Sequence, residues 1–167
     1  MGRETPYNGM SATESHGERT AGSLGAILIA EDNLDDAKLA HRAILQLQLE
    51  NPVHIVKDGK LTLAYLKGEG EYSDRRKYPF PALLLLDLRM PVMDGFEVLR
   101  QLQGDPRYAS VPILVVTVNQ DRRQLGEAYQ LGAKSFLTKP INPNDLKNAI
   151  EGLGKDSQLR FKPLAGS

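Results

Sequence analysis

The chain has 167 residues, enough for one domain with an ordinary hydrophobic core. Its 21 basic residues balance 21 acidic ones, which argues against electrostatic binding of nucleic acid, and the absence of cysteine excludes disulfides, thiolate metal sites and thiol catalysis. No apolar run approaches the roughly 18 residues that span a bilayer, and the N-terminus lacks the apolar core of a signal peptide. We therefore expect a cytoplasmic protein that does not enter a membrane.

The first 24 residues are rich in Gly, Ser, Thr and Glu and contain almost no large aliphatic side chain. Such a segment buries too little apolar surface to order itself, so we expect a flexible N-terminal leader over residues 1–24. We expect one folded domain over residues 25–154. A C-terminal tail over residues 155–167 would follow it, too short to build an output domain.

Five short apolar runs alternate with segments of helical period along residues 25–154. Residues 82–86 contain four consecutive leucines, so this strand has no polar face and is expected to be buried on both sides. A helix is predicted after every strand, and the last one should start at Asn142-Pro143 and close at Gly154. The predicted strands are 26–30, 53–56, 82–86, 111–116 and 135–138. Short connections and right-handed crossovers then predict an α/β fold, a doubly wound five-stranded parallel sheet with helices on both faces.

Polar side chains stand at the carboxyl ends of four predicted strands. They are Glu31 and Asp32 after the first strand, Asp87 after the third, Thr117 after the fourth and Lys139 after the fifth. Because parallel strands end at one edge of the sheet, where open α/β sheets bind ligands, we expect these side chains to converge. An acid that only caps the next turn is the alternative for Asp87 alone, but four such strand ends together favour a site.

Three carboxylates at this edge would repel one another by about 4 kcal/mol per close pair at an effective dielectric constant of about 20. Lys139 offsets part of this repulsion, and a hard divalent cation, Mg²⁺ or alternatively Mn²⁺, would offset the remainder. The cation, the Lys139 ammonium and the Thr117 hydroxyl suit the oxygens of a phosphoryl group. Carboxylates are known nucleophiles that form aspartyl-phosphate, and Asp87 is best placed to attack because it ends the central strand.

The chain from about residue 25 to residue 154 resembles a receiver domain of the two-component response-regulator family. The resemblance implies the flavodoxin-like strand order 2-1-3-4-5 and a phosphoryl group accepted on Asp87 from a histidine kinase or a phosphotransfer protein. It implies a phosphoprotein that catalyses only its own phosphorylation and dephosphorylation. The matching residues are Glu31-Asp32, Asp87 with Met90-Pro91 and Asp94-Gly95, Thr117, and Lys139-Pro140.

The resemblance also implies the roles of individual metal-binding residues. Asp32 and Asp87 would bind the cation directly, together with the backbone carbonyl of Arg89, whereas Glu31 would act mostly through water. A cis peptide before Pro140 is expected and would aim Lys139 at the site.

A switch follows from the same resemblance. Thr117 would move to hydrogen-bond the new phosphoryl oxygens, and Phe136 would turn into the space left behind it, reporting the phosphorylated state to the surface of the last helix–strand–helix unit. A plain core aromatic is the alternative for Phe136. Val118 stands where many receivers have Ala, Gly or Ser, so its branched side chain is expected to narrow access to Asp87. Arg89 and Asn119 flank the approach of the hydrolytic water, and the sequence does not say in which direction they change the phosphoryl lifetime.

Three turn and loop segments, which are less specific than the motifs above, resemble those of the single-domain receivers associated with cyanobacterial and bacterial phytochrome kinases. They are residues 56–59, 68–72 and 104–106. We therefore expect a stand-alone receiver that signals by protein–protein contact. Its candidate partners are a sensor histidine kinase, the phytochrome type among them, a phosphotransfer protein, and a second copy through the last helix–strand–helix face. Nucleic acid and membrane are not expected partners.

Three alternative functions exist for the same residues. A relay intermediate would pass its phosphate onward to a phosphotransfer domain. A phosphohydrolase resembling the haloacid dehalogenase family would need a second Asp two residues after the nucleophile, where this chain has Arg89. A phosphorylation-independent scaffold is disfavoured because no member of the expected site is missing.

Overall fold

A computed structural model describes residues 24–118 and 121–164, so nearly all of the predicted leader lies outside the described residues. Strands and helices alternate as the sequence predicts. The five strands are β1 (Ala26–Ala30), β2 (Val53–Val56), β3 (Pro81–Asp87), β4 (Ile113–Thr117) and β5 (Ser135–Thr138). The five helices are α1 (Leu34–Gln46), α2 (Gly59–Lys67), α3 (Gly95–Leu102), α4 (Arg122–Gln130) and α5 (Pro143–Glu151), and short 3₁₀ turns lie at Gly70–Ser73 and Pro106–Tyr108.

The five strands form one parallel sheet in the order β2-β1-β3-β4-β5. This order confirms the predicted doubly wound topology. β3 lies at the centre, and all seven of its residues are buried. A strand without a polar face is thereby covered on both sides, as its leucine run predicts.

Alternate residues of the strands contribute to two hydrophobic clusters, one on each face of the sheet. On one face, Leu28, Leu84 and Leu86 pack with residues of α2, α3 and α4. On the other face, Ile29 and Leu85 pack with residues of α1 and α5. The two layers of helices therefore fix the sheet from both sides and leave its carboxyl edge open at the loops.

The predicted bounds of β3, β4 and α5 differ from the observed ones: β3 spans Pro81–Asp87 rather than 82–86, and β4 spans Ile113–Thr117 rather than 111–116. β4 begins at Ile113 because Pro112, the residue before it, has no N–H to contribute to the ladder. α5 ends at Glu151 rather than at Gly154. Beyond Glu151 the chain tightens, with Leu153 N bonded to Ile150 O and Gly154 N bonded to Glu151 O, before Gly154 leaves the helical path at a φ of 87°.

The C-terminal segment packs back on the domain along the connection between α1 and β2. Backbone bonds join Glu50 N to Arg160 O (2.8 Å) and Lys162 N to Gln48 O (2.7 Å). The buried Asn51 side chain donates to Gln158 O (3.2 Å) and to Gly25 O (2.9 Å), and it accepts from Arg160 N (2.8 Å). These bonds tie residues 158–162 to the domain. Within the described part of the chain, no helix is both long enough and apolar enough to cross a membrane.

The loop after β3 packs closely against two glycines. Gly59, the first residue of α2, donates its N–H to Met93 O at 3.0 Å, and a Cβ added there would lie 2.1 Å from that oxygen. A Cβ at Gly95 would lie 2.5 Å from Asp87 O. Both positions therefore need glycine for close approach, and both help to fix the loop that follows Asp87.

We predict that Gly59→Ala lowers the free energy of unfolding by about 1–3 kcal/mol, because the added methyl must displace the backbone at Met93. Gly126→Ala is the matched control, since Gly126 lies on the exposed side of α4 with no atom within 4 Å of an added Cβ. This control should raise stability by about 0.5–1 kcal/mol. Chemical denaturation of both variants is the measurement, and equal effects of the two substitutions would contradict the packing argument.

Candidate functional site

Three carboxylates converge at the carboxyl edge of the sheet, as the strand ends predict. Glu31 and Asp32 follow β1, and Asp87 ends the neighbouring β3. One oxygen from each lies within 4.8 Å of the other two. Glu31 and Asp87 are buried, whereas Asp32 is exposed, so the cluster has a buried base and a solvent-facing rim. Carboxylate oxygens in this arrangement could hold a hard divalent cation.

Lys139 reaches the same cluster from the end of β5. Its Nζ lies 2.6 Å from Glu31 Oε1 and 3.1 Å from Asp87 Oδ2. A further carboxylate, Asp36, places Oδ2 at 3.3 Å from the same nitrogen. Asp36 is not among the site residues predicted from the sequence. Its signal was an acid in the first turn of α1, a helix whose N-terminus lies at the carboxyl edge of the sheet.

Local hydrogen bonds orient the two buried acids. Glu31 Oε2 accepts from Asn33 N at 3.1 Å, and Asp87 Oδ1 accepts from Arg89 N at 3.0 Å. Asn33 in turn caps α1, because its side-chain oxygen accepts from Asp36 N at 2.9 Å. Each acid therefore keeps one oxygen fixed by the loop backbone and directs the other towards Lys139.

The Lys139–Pro140 peptide bond is cis, as expected from the resemblance. Lys139 N donates to Thr117 O at 3.1 Å, which joins the loop after β5 to the end of β4. Thr117 is itself buried and completes the set of strand-end residues at this edge. The five side chains expected to converge thus share one edge of the sheet.

Burial and neighbouring charges shift the pKa values of two groups at this site, Glu31 and Lys139. Burial raises the pKa of Glu31 to about 7, although the hydrogen bonds from Lys139 and from the Asn33 backbone act in the opposite direction. Burial alone would lower the pKa of Lys139, but its hydrogen bonds to Glu31 and Asp87, and the charges of those acids, outweigh burial and raise it. The ammonium is therefore charged at neutral pH, and burial disfavours the charged form of Glu31.

Phe136 lies on the same face of the sheet as Thr117. Phe136 is paired with Val115, and Thr138 is paired with Thr117, so Phe136 and Thr117 are diagonal neighbours. The Phe136 ring is partly buried against the cluster of α2, α3 and α4, and it contacts Tyr129 of α4 edge-on with ring centroids 6.4 Å apart. The two residues are therefore neighbours on one face of the sheet, and their role as a switch stays a prediction.

The residues expected to control access lie at the rim of the site. Val118 follows Thr117 directly and is 68% exposed, and Arg89 is also exposed. Asn119 lies outside the described residues, so its expected role stays a prediction. The roles assigned to the other two are likewise predictions that rest on their position.

Residues 27–151 match the family model of the response regulator receiver domain. The chain belongs to the response regulator receiver family. Among curated relatives, this receiver is 32% identical over 127 residues to the response regulator Rcp1 of Synechocystis sp., which covers 76% of this chain and 84% of Rcp1. It is 36% identical over 128 residues to the probable methanogenesis regulatory protein FilR2 of Methanothrix harundinacea, covering 75% of this chain and 78% of the relative.

Solved structures with the same fold include response regulators of phytochrome systems. The bacteriophytochrome response regulator RtBRR superposes with a TM-score of 0.72 at 32% identity, covering 86% of this receiver and 83% of that chain. The phosphorylated cyanobacterial phytochrome response regulator RcpA gives a TM-score of 0.65 at 32% identity, covering 78% and 91%. The Mn²⁺-bound form of Rcp1 gives 0.64 at 31% identity, covering 77% and 91%. These relatives confirm the resemblance to phytochrome-associated response regulators.

We predict that Lys139→Met lowers the free energy of unfolding of this receiver by about 2–4 kcal/mol in metal-free buffer, because buried acids lose their counter-charge. Millimolar Mg²⁺ should recover part of this loss by taking the place of the ammonium charge. Lys134→Met removes an exposed lysine and serves as the control, with an expected change within about 0.5 kcal/mol. Denaturant titrations with and without Mg²⁺ make the comparison, and a Lys139→Met effect equal to the control would contradict the charge balance described here.

Proposed function

We propose that this receiver accepts a phosphoryl group on Asp87 from a sensor histidine kinase or a phosphotransfer protein. The observation that supports this most is the position of Asp87: it ends the central strand, belongs to the acidic cluster and contacts the Lys139 ammonium. In the transfer, a carboxylate oxygen of Asp87 attacks phosphorus, the bond from phosphorus to the donor nitrogen breaks, and an acyl phosphate forms.

The cation of this site is proposed to be Mg²⁺, with Mn²⁺ able to replace it. Asp32, Asp87 and the backbone carbonyl of Arg89 would bind it directly, and Glu31 would act through water. The donor set fits, because all of these groups offer hard oxygen ligands and three carboxylates meet within 4.8 Å. When bound, the cation neutralises charge on the phosphoryl oxygens.

The remaining phosphoryl oxygens are proposed to be held by Lys139 and Thr117. Lys139 already donates to Asp87 Oδ2 and would pass that donor to a phosphoryl oxygen. The Thr117 hydroxyl would donate to a second oxygen. Outside this transfer to its own side chain, and the later hydrolysis of the acyl phosphate by water to the Asp87 carboxylate and inorganic phosphate, we propose no catalytic activity.

The acyl phosphate of Asp87 would carry about −1.5 to −2 charges where the free carboxylate carries −1, and we propose that the Thr117–Phe136 pair conveys this change to the surface. If Thr117 moves towards the phosphoryl group, Phe136 can turn inward along the same face of the sheet. That motion would remove the Phe136 ring from its contact with Tyr129, which is 44% exposed. The surface formed by α4, β5 and α5 would change, and this surface is the proposed contact for a partner protein or a second copy.

Labelling with acetyl phosphate in the presence of Mg²⁺ tests the acceptor. The wild-type chain should incorporate label, and Asp87→Asn should incorporate none because the amide is not a nucleophile. Asp156→Asn, which changes an exposed carboxylate in the C-terminal segment, should label as wild type does. Label that persists in Asp87→Asn, or fails to appear in wild type with Mg²⁺ and is not restored by Mn²⁺, would contradict the proposal.

We predict that Val118→Ala speeds both the labelling of Asp87 and the loss of label from it, because a smaller side chain at the rim opens the approach to the acyl phosphate. The effect should be several-fold, on the order of 1 kcal/mol in each barrier. Rates of incorporation and of decay after removal of acetyl phosphate give the two quantities. Unchanged rates would show that Val118 does not limit access.

A further inference from the structure

The ammonium group of Lys139 has three N–H donors, and three carboxylates surround it. Two of these acids, Glu31 and Asp87, belong to the cluster that could hold a cation. The third, Asp36, lies outside that cluster and contacts Nζ through Oδ2 at 3.3 Å. Of the three partners of Lys139, Glu31 and Asp87 would therefore take part in cation binding or phosphoryl transfer, whereas Asp36 would not.

Asp36 is placed by the cap of α1. Asn33 N donates to Glu31 Oε2, and the Asn33 side-chain oxygen accepts from Asp36 N. A single residue thus connects the acidic cluster to the first turn of α1. Because this cap sets where the helix begins, it also sets where the Asp36 carboxylate meets Lys139.

Aliphatic side chains cover one side of the Asp36–Lys139 pair. A cavity of about 10 Å³, room for roughly one water molecule, lies against both residues and is also lined by Ile29, Leu39 and Ile141. The Lys139 side chain is 12% exposed and that of Asp36 is 36% exposed. The pair therefore packs against aliphatic side chains and is partly open to solvent at Asp36.

We propose that Asp36 is a positioning residue that holds the Lys139 ammonium over the acceptor during phosphoryl transfer, an inference that rests on the proposed function. When Asp87 becomes an acyl phosphate, it no longer offers Lys139 the same carboxylate oxygen. Glu31 would at that stage also act on the cation through water. Asp36 is chemically unchanged by either event, so it keeps Lys139 in place while one ammonium donor passes from Asp87 to a phosphoryl oxygen.

The variant that tests this is Asp36→Asn, which preserves shape and removes the charge. Its initial rate of labelling by acetyl phosphate with Mg²⁺ should fall about three- to tenfold, the effect of losing one charge-assisted hydrogen bond to Lys139. The matched control is Asp35→Asn, an exposed acid in the same helical turn that makes no ion pair with another described residue. It should label at the wild-type rate, which separates positioning from a general effect of charge at the N-terminus of α1.

A thermal-unfolding cycle gives a readout that does not depend on phosphorylation. Asp36→Asn should lower the unfolding midpoint of the wild-type chain in metal-free buffer. In the Lys139→Met background the same substitution should leave the midpoint unchanged or raise it, since the ammonium that Asp36 contacts is gone.

The results separate the two proposals. A wild-type labelling rate in Asp36→Asn, equal losses in Asp36→Asn and Asp35→Asn, or additive midpoints in the cycle would each overturn the positioning role while leaving Asp87 as the acceptor. If the wild-type chain took no label at all, the proposed function would fail. The midpoints would then still decide whether Asp36 holds Lys139.

Discussion

The contact between the Lys139 ammonium and the surrounding acids is the interaction on which the rest of the site depends. Glu31 and Asp87 are buried beside it, and Asp32 adds a further negative charge within 4.8 Å. Burial raises the pKa of Glu31, and the charge of Asp87 adds to this effect, while the hydrogen bond from Lys139 opposes it. The arrangement is therefore suited to a ligand that brings positive charge and then to a phosphoryl group held between that charge and Lys139.

The topology of the sheet brings these charged side chains together, and the hydrophobic core holds the strands that carry them. β1 and β3 are neighbours in the sheet, so the residues at their carboxyl ends must lie side by side, and β5 brings Lys139 across β4. The clusters on both faces fix these strands, and Gly59 and Gly95 let the loop after Asp87 pack against the N-terminal ends of α2 and α3. The repulsion among the acids at one edge of the sheet is thus opposed by a hydrophobic core that does not take part in the chemistry.

The strands and most of the site residues could be predicted from the sequence, because the patterns that indicate them are local. The leucine run marks a strand covered on both faces, and the acids, hydroxyl and lysine stand where predicted strands end, so a parallel topology alone brings them together. Asp36 could not be predicted in the same way, since its role depends on the rotation of α1 set by the Asn33 cap. The packing of residues 158–162 on the domain through Asn51 could not be predicted from the sequence either, because hydrogen bonds between distant irregular segments leave no periodic pattern.

Binding of Mn²⁺, followed by electron paramagnetic resonance of the free ion, tests the charge-balance account most directly. We expect one site per chain, an affinity lower by about tenfold or more in Asp32→Asn, and an unchanged affinity in Asp35→Asn. Mg²⁺ should compete for the same site. Binding that survives unchanged in Asp32→Asn, or no binding to the wild-type chain, would contradict the claim that these acids form a site for a divalent cation.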